Sequence, residues 1–116
     1  MDVEDCPTPP CILERGRSYL VNINFTSSVD TDTLTVAATA NIGGIEVPWP
    51  DLDSDACKQL ENSPTPCPIS VGNMVDWTMS ADVLSIYPTI ETVVTFQLLD
   101  SSSNPQTCAM LSAIIV

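Results

Sequence analysis

The chain has 116 residues, a length that fits one domain, residues 1–116, with one core. It is 44% hydrophobic and only 16% charged, too apolar for a disordered segment, yet it holds no apolar run long enough to cross a membrane as a helix. Three cations, Arg15, Arg17 and Lys58, against fifteen acids give a net charge of −12, which argues against nucleic acid and against electrostatic docking on anionic lipid.

Met1 is followed by Asp2-Val3-Glu4-Asp5, which is not the start of a signal peptide, so a secreted protein would here be a processed or incomplete form. Cys6 and Cys11 then flank Pro-Thr-Pro-Pro. The first strand is expected over Tyr19 to Phe25, where Tyr19, Val21, Ile23 and Phe25 form one face and Asn22, Asn24 and Thr26 the other. Asn24-Phe25-Thr26 is a glycosylation acceptor, and Asn24 falls on the outward face. Leu34, Val36, Ala38 and Ala40 define a second strand. A short apolar strand after Gly43-Gly44 runs into Pro48-Trp49-Pro50, and the two prolines fix the backbone around one large aromatic. The stretch from Pro50 to Pro68 is irregular and contains Cys57 and Cys67. Val75, Trp77, Met79 and Ala81 alternate with polar residues, as do Val94, Phe96 and Leu98. The last segment, Cys108 to Val116, is apolar on both sides and reads as a buried strand. Turn residues separate these runs, and no segment carries a capped helical period. Six short strands in this spacing point to an all-β, antiparallel sandwich.

Five cysteines point to an oxidising compartment. The Cys6/Cys11 and Cys57/Cys67 pairs can each close a short ring, worth on the order of 2–3 kcal/mol, and Cys108 is left over. Zinc fits poorly, because histidine is absent and the spacings are not those of a knuckle. Asp51, Asp53 and Asp55 have the spacing that opens a calcium loop, but Ala56 and Asn62 stand where glycine and glutamate are needed. No metal or other cofactor is expected. Without histidine, and with the lone lysine beside a cysteine, neither a general base nor an activated nucleophile is visible, so the chain reads as a non-enzyme. What remains is apolar surface. Small faces such as Ala37-Ala38-Ala40 and Ala109–Ala113 leave room between sheets, either for tight packing or for a greasy ligand.

In its ordered set of motifs the chain resembles the ML lipid-recognition domains, the family of the Niemann–Pick type C secreted sterol carrier and the group 2 mite allergens. The resemblance runs from Cys6-Pro7-Thr8-Pro9-Pro10-Cys11 through Arg15-Gly16-Arg17-Ser18-Tyr19 and Val21 to Thr26. It continues over Gly44 to Pro50, Ala56-Cys57-Lys58, Cys67-Pro68-Ile69, Tyr87-Pro88-Thr89-Ile90, Phe96-Gln97-Leu98 and Thr107-Cys108-Ala109. It implies an immunoglobulin-like β-sandwich whose two sheets splay around an apolar cavity. It also implies a cavity mouth guarded by Trp49, where the sterol carrier has phenylalanine, and by Val83 and Tyr87 on a facing loop. By face, Phe25, Val36, Val75, Trp77, Val94, Phe96 and Met110 are further candidate ligand-lining residues, each of which can instead be ordinary core. The family's usual first strand, with a cysteine partner for Cys108, is not recognisable here.

The implied function is binding and transport of a small hydrophobic ligand, a sterol, fatty acid or similar lipid, in a secreted, extracellular or lysosomal setting. The partners would be that ligand and a membrane-protein receptor or acceptor. The competing function is a secreted interaction module with a filled core that binds another protein through its loops.

Overall fold

The structure, a computed structural model, describes residues 2–49 and 53–116; Pro50, Asp51 and Leu52, part of the Pro-Trp-Pro and calcium-loop readings, lie outside the described residues. In chain order the elements are β1 (Asp2–Val3), β2 (Cys11–Leu13), β3 (Arg17–Thr26), β4 (Thr35–Ile42), β5 (Ile45–Pro48), α1 (Ala56–Gln59), β6 (Met74–Val83), β7 (Glu91–Leu99) and β8 (Pro105–Ile115). They form two sheets, β1-β3-β6 and β2-β8-β7-β4-β5. The all-β sandwich anticipated from the sequence is present, with two short strands beyond the six expected and a one-turn helix.

Period-two alternation builds both inner faces. β6 alternates exposed and buried residues along its whole length, and its register places Tyr19 opposite Ala81, Val21 opposite Met79 and Ile23 opposite Trp77. In the larger sheet Val36 faces Leu98, Ala38 faces Phe96 and Ala40 faces Val94, while Ala109 flanks Phe96 from the other side. A large ring between two alanines lets the layers interdigitate at ordinary packing density. Gly43 and Gly44, at φ 60° and 85°, make the two-residue turn that pairs Ile42 with Ile45; positive φ at both central positions is what such a hairpin demands.

β8 differs from the buried strand expected at Cys108 to Val116. Only one face is inward. Leu111, Ala113 and Ile115 are buried, whereas Cys108 is exposed and Met110 is 69% exposed. Register is the reason: Ala109 opposes the buried Phe96, so Met110 opposes Thr95 on the outer side. Met110 is therefore not a lining residue. β2 joins β8 in parallel, Cys11 beside Ala113. β1 pairs Asp2 with Asn22 and Val3 with Val21.

One end of the sandwich is closed by the loop that bears α1. Asp55 caps this helix by accepting from Lys58 N at 3.1 Å, and Asp53 meets Lys58 Nζ at 3.3 Å. These contacts give the two carboxylates a structural role. Leu34, Ala56, Leu60 and Ile69 are all buried there. Disulfides join Cys57 to Cys67 and Cys6 to Cys11.

Candidate functional site

The candidate site lies by the β4–β5 hairpin, whose edge strand β5 pairs with β4 and is exposed at every residue. Trp49 follows directly. Its backbone N–H donates to Ala38 O at 2.9 Å, which extends the ladder by one step and holds the indole over the sheet end. Across from it the chain leaves β6 and turns, with Tyr87 N donating to Leu84 O at 3.1 Å. Arg15 ties that turn to the residue that follows β8: Nη1 donates to Tyr87 O at 3.4 Å and Nε to Val116 O at 3.3 Å.

Four rings run inward from this mouth. Tyr87 meets Trp49 edge-on at 6.3 Å, Trp49 lies 6.1 Å from Phe96, and Phe96 lies 6.5 Å from Trp77. These spacings fall in the range favoured by aromatic quadrupoles. Trp77 ends the row. It is fully buried and its Nε1 donates to Gln59 Oε1 of α1 at 2.7 Å.

Two hollows flank the row. An outer one of about 80 Å³ lies between the β4–β5 hairpin and the Tyr87 turn, with Ile42, Val47, Trp49, Tyr87, Ile90 and Val94 among its walls. An inner one of about 10 Å³ lies between the sheets, against Tyr19, Val21, Trp49, Val83, Phe96 and Leu111. Among the described residues, the walls of both are almost wholly apolar and neither includes a charged residue. Trp49 and Val94 belong to both.

The candidate residues therefore separate by position. Trp49, Val94 and Tyr87 stand at the outer hollow; Trp49, Val83, Val94 and Phe96 stand at the inner one. Val36, Val75 and Trp77 are buried core nearer the closed end, and Phe25 is half-buried there, in register with Val75. Asn24 is exposed on β3. Sequence reasoning missed the hairpin wall, Ile42 and Val47. Ile42 lay outside the alternating run that ended at Asn41, and Val47 sat in a strand too short to show a face.

The arrangement is an immunoglobulin-like sandwich of two sheets, disulfide-braced, with small apolar hollows beside Trp49. Within that class the chain belongs to the ML domain family, whose model matches residues 1–115. It is 36% identical over 108 residues to the NPC intracellular cholesterol transporter 2 of Mus musculus, spanning 93% of this chain and 70% of that protein. The corresponding protein of Danio rerio is 33% identical over 116 residues, covering 100% of this chain and 75% of the relative. The mite group 2 allergen Gly d 2.02 of Glycyphagus domesticus is 28% identical over 99 residues, 85% of this chain and 75% of the allergen. The crystal structure of a Niemann-Pick type C2 protein from the Japanese carpenter ant shares the fold at a TM-score of 0.87 and 21% identity, covering 100% of this chain and 90% of that one.

Proposed function

We propose that this domain is a non-enzymatic carrier of one small hydrophobic molecule of the sterol or fatty-acid class, held between the two sheets and admitted beside Trp49. One observation carries the reading: the Trp49 ring is the shared wall of two apolar hollows, one open to the surface and one between the sheets. Moving that ring joins them. Together they are far smaller than the roughly 300–1,000 Å³ of a typical ligand site, so the loaded form must be expanded. The wall suits such a change, because β5 is an edge strand paired only to β4 and exposed throughout. Binding would then draw on burial of ligand surface, roughly 2.5 kcal/mol for each 100 Å² of apolar area removed from water.

Relatives named as cholesterol transporters support a sterol as ligand. Two disulfides support an oxidising setting, extracellular or lysosomal. Ile45 at 67% and Ile86 at 83% exposure lie in the β4–β5 hairpin and the Tyr87 turn, where an acceptor such as a membrane-protein receptor would approach. Titration with a fluorescent sterol and a fluorescent fatty acid tests the proposal. A carrier takes up at least one of them saturably, one molecule per chain, and loses that uptake in Trp49→Ala. A well-folded protein that takes up neither is not a carrier. The small size of the outer hollow, about 80 Å³, favours a second reading, a filled interaction module, and that same negative result would select it.

A further inference from the structure

Among the described residues, the buried side-chain nitrogen and oxygen atoms are hydrogen-bonded with one exception, Trp49 Nε1. The exception is informative because of where the ring stands. A buried N–H left unpaired is costly, and folded proteins pair nearly all of them. Trp77, the other indole, illustrates the rule with its bond to Gln59. Among the described residues, Trp49 is surrounded by aliphatic side chains such as Val47, Val83 and Val94 and by two rings, Tyr87 at 6.3 Å and Phe96 at 6.1 Å, which offer π faces and at most a weak contact to an N–H. Other polar groups at the hollows each have a partner: Thr92 Oγ1 donates to Asn41 O at 2.6 Å, and the Tyr19 hydroxyl accepts from Glu14 N at 2.8 Å, which leaves its O–H as a second donor beside the inner hollow. The ring that walls both hollows thus carries an unspent donor in otherwise apolar surroundings.

Building on the carrier reading, we propose that Trp49 is a specificity-determining residue: its Nε1–H donates to an uncharged oxygen of the bound lipid, so the protein selects lipids with a buried hydroxyl, ketone or ester carbonyl over hydrocarbons and over ionised fatty acids. The preference for a neutral acceptor follows from the walls. Among the described residues they supply neutral donors and no cation, and an ionised carboxylate brought out of water needs more than neutral donors. A neutral oxygen needs one. A site built to bond an oxygen rejects the analogue that lacks it more strongly than an apolar site resolves a missing methylene.

The test uses matched probes on the full chain: cholesterol against 5-cholestene, and oleyl alcohol against both 9-octadecene and oleate. Affinities come from competition with a fluorescent sterol, in the wild type and in Trp49→Phe, which keeps an aromatic wall without the N–H. The expected result is that the wild type binds the alcohols at least tenfold tighter than the hydrocarbons and tighter than oleate. Trp49→Phe should shrink the alcohol-over-hydrocarbon preference to about twofold while leaving hydrocarbon affinity near its original value. An independent readout is the indole ¹⁵N–¹H spectrum, in which the peak lost in Trp49→Phe should shift downfield with the alcohols and stay in place with the hydrocarbons. Equal binding of alcohol and hydrocarbon, or a preference unchanged by Trp49→Phe, overturns the hydrogen bond and leaves the carrier standing. Tighter binding of oleate than of oleyl alcohol overturns the neutral-acceptor assignment. Failure of every probe to bind overturns both proposals together.

Discussion

Truncating the two tryptophans separately should have opposite consequences. Trp77 is fully buried, packs on Phe96 and donates to Gln59. Trp77→Ala removes a whole core indole, which costs about 3–5 kcal/mol, and strands a hydrogen-bond acceptor worth about 1 kcal/mol more. That sum is comparable to the entire stability of many domains. Trp49 is half-buried, faces space on two sides and keeps an unpaired N–H. Trp49→Ala loses two ring contacts at about 0.5–1.5 kcal/mol each, offset in part by removing a donor whose burial costs about 1–3 kcal/mol. Its net effect on folding is no more than about 2 kcal/mol, a shift in urea midpoint of at most about 1–2 M at m-values of about 1–2 kcal/mol/M. Urea unfolding followed by circular dichroism, alongside lipid titration, separates the two roles. Trp49→Ala should stay folded and lose most lipid binding. A Trp49→Ala protein destabilised as severely as Trp77→Ala would make Trp49 a core anchor and refute the reasoning.

Other consequences can be checked singly. Asp100 is buried and its carboxylate accepts from Ser102 N at 2.8 Å, Asn104 N at 3.0 Å and Gln106 Nε2 at 2.9 Å. Asp100→Ala should therefore cost about 2–3 kcal/mol in thermal or urea unfolding. Cys108 is exposed and outside both disulfides, so a thiol reagent should titrate one group per native chain without denaturant. The Asp55 backbone N–H, and then Lys58, hold the Asp53 carboxyl below its ordinary value of 3.8. Its contribution to the α1 loop is complete above that value and is lost as pH falls through the lower folded one. Amide exchange at Asp55, whose N–H donates to Asp53 Oδ1 at 3.0 Å, should, once corrected for the intrinsic rate, accelerate only in that acid range.

How far the fold was legible depended on length of pattern. β3, β4, β6 and β7 alternate strictly enough for period two to give strand and inner face together, as Val21 and Trp77 show. β8 did not yield its face, because Cys108, Met110 and Ile114 on one side are as apolar as Ala109, Leu111 and Ala113 on the other. Only pairing with Phe96 decides between them. β1, β2 and α1 have two, three and four residues, too few for any period. Composition also treats Trp49 and Trp77 alike. What distinguishes them is Gln59, which lies 18 residues from Trp77 and meets it only through the disulfide-closed loop.

The most direct measurement is a crystal structure of the protein loaded with cholesterol or a long-chain alcohol, read for the space between the sheets. A carrier should show one lipid between β3-β6 and β7-β8, with the Trp49 ring displaced and the two hollows merged into a volume of at least about 300 Å³. An unchanged outer hollow of about 80 Å³, with Trp49 in place and no lipid behind it, would contradict carriage.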